Sequence, residues 1–215
     1  MPNIDFSNPI FESFFYITIS AFIPFLLVSV TCFTRYIIVL SLLRTALGLQ
    51  QTPPNIVIIS ICLFMTFFSM APTVYDIKEV SYDQYQKGTI TQLEAIDKGL
   101  NEINKFLISK TEEKDYYFVK SLQDDSVSEI SENSYELITL VPAFILSELK
   151  VAFQFAFIIF LPFLLIDLIV ASILMALGMI MLPPISISLP IKLLIFVLID
   201  GWTLIVGSLI SGFQS

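Results

Sequence analysis

The chain has 215 residues, of which 56% are hydrophobic, with a mean hydropathy of +0.84, a formal net charge of -8 and no histidine. Soluble domains are about 45–50% apolar, so water is not the main solvent of this chain. The low pI and the lack of a Lys/Arg cluster argue against nucleic acid as a partner, and the missing histidine removes the commonest general base and zinc ligand.

Residues 1 to 13 contain Asp5 and Glu12 but no Lys or Arg. They lack the positive n-region of a cleavable signal peptide, so the first apolar run is expected to be retained. That run, residues 14 to 33, has about the 20 residues needed to cross a ~30 Å hydrocarbon core as a helix kinked at Pro24. Arg35 follows at once, then the helix-like stretch YIIVLSLLRTALGLQ, which carries Arg44. At about 100° per residue the two arginines point to opposite faces, so they need different partners. QQTPPN at 50 to 55 is a hard break, because consecutive prolines fix φ and disfavour helix before them. A second apolar block, 56 to 75, ends near Pro72. Cys32 and Cys62 sit in apolar runs without C-x-x-C spacing and read as small buried hydrophobes, supporting neither a metal site nor a disulfide.

Residues 76 to 136 hold fourteen Asp and Glu against seven Lys, so -7 of the net charge lies in one soluble insert. Within it Leu93, Ile96, Leu100, Ile103 and Phe106 are spaced 3, 4, 3 and 3, which predicts an amphipathic helix packing one stripe, with a solvated loop as the alternative. Residues 121 to 134, SLQDDSVSEISENS, read as a flexible polar linker. Residues 137 to 182 then run apolar with no polar turn, Pro162 being the obvious break. Two legs joined at FLPF would leave an apolar turn in headgroups, so either one leg is re-entrant or protein covers the hairpin. MLPPISISLP, 181 to 190, reads as a proline-broken extended stretch before a final apolar block at 191 to 213.

Residues 137 to 215 carry only five charges, Glu148, Lys150, Asp167, Lys192 and Asp200. Each costs several kcal/mol in such a setting unless it is paired or faces protein or water. Asp200-Gly201-Trp202 fits either a proton-carrying carboxylate or an ion pair with another helix. Lys192 is not its obvious partner, since eight helical residues separate them by about 12 Å of rise and 80° of rotation. Glu148 and Lys150 diverge by about 200° on one helix. Adjacent copies of the chain in a ring would bring them together, whereas the bland alternative is snorkelling to headgroups. Met175, Met179 and Met181 surround Gly178 just before Pro183 and Pro184. Flexible methionines around an axis could seal a narrow pore, although the methionine content is ordinary.

Three blocks carry a resemblance: FTRYIIVLSLLRTALGLQQTPPN (33 to 55), LVPAFILSELKVAFQFAFIIFLPFLLIDLIVASILMALGMIMLPP (140 to 184) and ISLPIKLLIFVLIDGWTLIVGSL (187 to 209). In order and spacing they resemble the FliP family of flagellar type III export-gate proteins and the related SctR family of injectisomes, with FTR, DGW and GSL closer to the flagellar form. The resemblance covers nearly everything outside the N-terminus and the acidic insert. It implies an all-α polytopic membrane protein of helical hairpins with a small soluble helical insert, organised as residues 1–75, 76–136 and 137–215. It implies a helical assembly of about five copies with FliQ-like and FliR-like proteins, within a larger apparatus containing FlhA-like and FlhB-like proteins, that admits unfolded substrates. The expected location is the bacterial inner membrane, in the flagellar basal body, with much of the mass toward the periplasm.

The family's methionine-rich constriction maps onto Met179, Ile180 and Met181, with Ile180 where relatives commonly carry a third Met. Arg35, Arg44, Glu148, Lys150, Asp167, Lys192 and Asp200 are then inter-subunit or gating charges. No cofactor and no enzymatic step are implied, and no G-x-x-x-x-G-K-[ST] loop is present to bind nucleotide. An injectisome subunit of the SctR type is the near alternative. From another class, a small ion-coupled transporter using Glu148, Asp167 and Asp200 is the competing reading. The short N-terminus departs from relatives with a signal peptide and leaves the insertion route open.

Overall fold

The computed structural model describes residues 9–122 and 137–214, and among these every regular element is a helix. Helix α1 (Pro9–Ser29) meets α2 (Phe33–Ala46) at a bend of 67°. Helix α3 (Asn55–Ile77) starts directly after the Pro53-Pro54 break and passes into a π-helical turn, Lys78–Tyr82, and the short α4 (Asp83–Gln86). The insert continues as α5 (Gln92–Lys110) and α6 (Glu113–Ser121). After it come α7 (Leu137–Ala176), α8 (Ile185–Leu198) and α9 (Gly201–Gln214).

Local chemistry sets most of these ends. Thr91 and Glu94 form a reciprocal capping box at the start of α5: Thr91 N–H donates to Glu94 Oε2 at 2.7 Å, and Glu94 N–H to Thr91 Oγ1 at 3.3 Å. Gly48 ends α2 with φ +81, its N–H and that of Leu49 returning to Thr45 O and Arg44 O. Gly178 does the same for α7 with φ +73, through Met175 O and Leu174 O. Both are left-handed caps that a side chain at the glycine would strain.

Five expectations are corrected. The long apolar segment is one 40-residue helix, not a hairpin at FLPF. Pro142 and Pro162 each remove a backbone donor, but neither supplies the turn chemistry that reverses a chain, and at 1.5 Å per residue α7 is about 60 Å long. Residues 185 to 190 are helical, not extended, because Pro184 stands at the N-terminal cap with φ -56, where a missing N–H costs nothing. The helix expected to close near Pro72 continues to Gln86 as a 32-residue run. The final block is bent by 64° between α8 and α9. The helix predicted over Leu93 to Phe106 is present, but Leu93, Ile96 and Leu100 are exposed. Burial falls on Ala95, Phe106 and Leu107, with Ile103 half-buried. Spacing shows that a face is apolar and not which surface meets it. Here Ser81 Oγ donates to Ala95 O at 2.7 Å, drawing the small-residue face of α5 onto the π-helical turn. The linker expected at 121 to 134 lies almost wholly outside the described residues.

The core centres on α2. Tyr36, Val39, Leu40 and Leu43 are fully or almost fully buried between α3 and α7. Phe106 of α5 packs on Phe144 of α7 and Phe213 of α9, with ring centroids 5.9 and 6.0 Å apart, so the insert closes one end of the helix cluster. Asn55–Gln86 and Leu137–Ala176 are long and apolar enough to cross a membrane, and the pairs α1–α2 and α8–α9 each pass as one bent span. Phe64, Phe67, Phe68, Phe157 and Leu168 point away from the core, so the outer faces suit lipid or other protein.

The α8–α9 joint explains Asp200-Gly201-Trp202 locally. Asp200 takes φ 50 and ends α8. A Cβ on Gly201 would collide with the ring of Phe196, which Trp202 meets edge-on at 5.4 Å and Phe163 at 6.3 Å. Gly201→Ala is therefore expected to cost about 1–3 kcal/mol by overpacking, and Asp200→Gly to stabilise by roughly 0.5–1 kcal/mol by relieving the left-handed residue. Thermal unfolding of the detergent-solubilised chain checks both, and equal melting temperatures would refute this account of the joint.

Candidate functional site

The charges of the apolar helices converge on partners far away in the sequence. Arg35, on the buried side of α2, grips Glu148 of α7 side-on: Nε donates to Oε2 at 2.7 Å and Nη2 to Oε1 at 2.6 Å. The Glu148 side chain is 0% exposed and that of Arg35 6%. The guanidinium also lies 5.0 Å from the centre of the Phe213 ring, so its face is covered by α9. Beside it, the Tyr36 and Ser69 hydroxyls hydrogen-bond at 2.5 Å and tie α2 to α3.

A second joint links three other segments. Lys192 of α8 is buried and donates to Asp167 of α7 at 2.6 Å and to Ala46 O, at the C-terminal end of α2, at 3.0 Å. A cation at a helix C-terminus meets carbonyls without intrahelical partners and the negative end of the dipole. A third joint attaches the insert. Lys150 of α7 donates to Glu112 at 2.7 Å, and Lys114 reaches the same carboxylate oxygen at 2.8 Å. Ser147 accepts from Glu112 N–H at 3.0 Å and donates to Asp115 at 2.7 Å. Lys110, at the end of α5, donates to Phe213 O at 2.5 Å and stands 4.9 Å from the same ring that Arg35 covers.

Glu148 and Lys150, expected to meet across copies of the chain, thus each have a partner inside one chain, and their divergent directions on α7 are what send them to different ones. Arg44 turns away from Arg35, as their spacing requires. Its Nη1 donates to Asn55 Oδ1 at 2.6 Å and Pro53 O at 3.2 Å, bracing the QQTPPN loop against α2. Asp200 is exposed and makes no side-chain contact among the described residues.

Met179, Ile180 and Met181 lie in the tight connection between α7 and α8, between the left-handed Gly178 and the prolines 183 and 184. Ile180 is 87% and Met181 98% exposed. The structure therefore separates the paired charges, which lie between helices, from the methionine loop, whose Ile180 and Met181 are almost uncovered by their own chain. The sequence reading missed Glu112, Asp115, Ser147, Lys110 and Phe213. The one signal available was that buried charges need opposite partners, and that identifies no position 32 to 103 residues away. Among the described residues no group of three or more Cys, Asp or Glu is placed to hold a metal. A groove of about 710 Å³ along α7 is lined by Leu42, Phe153, Phe157, Phe160 and Leu161, with Lys150 and Gln154 as its polar members. Such a surface can bind apolar matter, and its lysine is held by Glu112.

Removing one partner of the buried pair is expected to cost far more than removing both. Glu148→Gln should destabilise by about 3–5 kcal/mol, whereas Arg35→Met with Glu148→Leu should recover most of that loss. A double-mutant cycle on unfolding in detergent measures it, and additive losses would refute the coupling. Hydrogen bonds from Lys114, then Lys150, hold the Glu112 carboxyl below its ordinary 4.5. A depressed carboxyl stabilises the folded contact above its ordinary pKa and loses that contribution as pH falls through the lowered one. Hydrogen exchange across 112 to 120 should therefore quicken on acidification below about 4.5, and Lys150→Gln should flatten that dependence.

A FliP family model matches residues 16–209. The flagellar biosynthetic protein FliP of Bacillus subtilis (strain 168) is 46% identical over 201 residues, covering 92% of this chain and 89% of that protein. The protein of the same name from Pectobacterium carotovorum subsp. carotovorum is 46% identical over 200 residues, 93% and 77% respectively. That from Cereibacter sphaeroides is 50% identical over 192 residues, 89% of this chain and 63% of that protein.

Proposed function

The chain belongs to the FliP family, and from that membership we propose that it is a core subunit of the bacterial flagellar type III protein-export gate, forming the channel through which unfolded flagellar proteins cross the inner membrane. The observation that carries this reading is the family match over residues 16–209, which takes in all three motif blocks and nearly every helix described above. The relatives bear the flagellar name, which favours the flagellar reading over the injectisome one. Membrane-length apolar helices agree with a membrane location. Its work is passage and not chemistry, so it is not an enzyme and needs no cofactor.

Beyond this, we assign about five copies of the chain to a helical assembly with FliQ-like and FliR-like proteins, next to FlhA-like and FlhB-like components of the basal body, with much of its mass toward the periplasm. The exposed outer faces support it, since α7 is about 60 Å long against a hydrocarbon core of ~30 Å and so must leave the bilayer or be covered by protein. The loop 179 to 181 is the proposed constriction: it is apolar, projects from its own chain, and is held by a glycine cap and two prolines, while its side chains stay free to deform. An ion-coupled transporter fits less well, because Glu148 and Asp167 are both committed to cations of their own chain.

Deleting the gene should abolish flagella and the export of flagellar proteins to the medium, with recovery when the intact chain is supplied in trans. Replacing Met179, Ile180 and Met181 by Gly should leave the assembly in the membrane but make it leak ions when substrate is absent. Normal export in the deletion strain would refute the gate reading, and an unchanged leak would refute the loop's part in it.

A further inference from the structure

Of the seven charges at positions 35, 44, 148, 150, 167, 192 and 200, one of each sign is left without an ion-pair partner among the described residues. Arg35 with Glu148 and Lys192 with Asp167 close within the chain, and Lys150 is answered by Glu112 of the insert. Arg44 remains without a carboxylate, and Asp200 without a cation.

Neither is a loose surface charge. Arg44 is half-buried, and its Nη1 is committed to Asn55 Oδ1 and Pro53 O. Its Nε and Nη2 have no partner among the described residues. That is the same edge with which Arg35 grips Glu148, so Arg44 is braced as an open fork for a carboxylate. Asp200 is exposed at the α8–α9 bend, where its backbone is left-handed. Around it Val197, Leu198, Ile199 and Leu204 are exposed, as Ile56 and Val57 are next to Asn55. A carboxylate in such an apolar setting is costly unless it is answered. Lys110 of the insert and Lys150 of α7 are engaged elsewhere, with Phe213 O and Glu112.

We propose that Asp200 of one copy of this chain docks in the open fork of Arg44 of the next. The contact is heterologous: each copy gives its Arg44 face to one neighbour and its Asp200 face to the other, so a repeating assembly leaves none of these seven charges unanswered inside it. The apolar side chains around each charge form the dry surround that makes such a pair selective for a correctly oriented neighbour. This rests on the reading of the chain as a multicopy gate subunit and adds which residues join the copies.

The test uses the full chain expressed in its own host lacking the native gene. Arg44→Cys and Asp200→Cys together, under mild oxidation in membranes, should give a ladder of cross-linked copies that neither single variant gives. The two native cysteines are buried and supply the background control. Arg44→Asp and Asp200→Arg should each lower export by about tenfold or more, as expected for removing one member of a desolvated interfacial charge pair, and the double exchange should restore it to within about threefold of the native level. A variant that fails to reach the membrane is set aside by immunoblot, and the cysteine ladder then decides. Absence of the ladder, or a cross-link from Asp200→Cys to a different protein, overturns the pairing. So do single reversals that export normally. Each of these outcomes leaves the gate reading intact, because that reading stands on the deletion phenotype alone.

Discussion

The structure depends first on the burial of Arg35 against Glu148. Two ions taken out of water lose several kcal/mol of hydration each, and only a two-bond fork with covered edges approaches break-even. The pair's value is therefore positional. Sliding α2 along α7 by one turn, about 5.4 Å, would strand both charges, so the pair sets the register of the two helices that make the centre of the core. Tyr36 with Ser69 then places α3 by a neutral bond, and the Phe213 ring over the guanidinium places α9.

The other joints follow the same logic at lower stakes. Lys192 reads the end of α2 through Ala46 O and the flank of α7 through Asp167, so the hairpin carrying the methionine loop is anchored at its base and not at its tip. That division suits a gate, because a rigid base keeps the loop aimed while the exposed tip remains deformable. The insert is held by Lys150, Ser147 and Lys110, of which the half-exposed Lys150–Glu112 pair is the weakest and the most open to salt and pH. The insert is thus attached by contacts that can loosen without disturbing the buried pair.

Much of the local structure was legible in the sequence because short-range chemistry decides it. The capping box of Thr91 and Glu94, not singled out above, starts α5, and Gly178 followed by two prolines ends α7. The prolines of QQTPPN separate α2 from α3. The helix over 92 to 110 was legible as a helix, while its buried face was not, since Leu93, Ile96 and Leu100 are as apolar as the residues that were buried in their place. The hairpin expected at Pro162 failed for a related reason. Proline weakens a helix at one bond, and only a turn residue or a competing contact converts that weakness into a reversal. Gly178 supplies such a turn and Pro162 does not.

The sequence by itself determined the membrane solvent, the helical class, the acidic insert, the family and the residues whose charges had to be answered. All of these follow from composition, from periodicity or from motifs a few residues long. Tertiary structure alone decided which charges answer one another, because partners such as Arg35 and Glu148 lie 113 residues apart and are joined by packing. It also decided that Asp200 and Arg44 were left over. That outcome depends on which helix faces meet, a property of the assembled core that no local window contains.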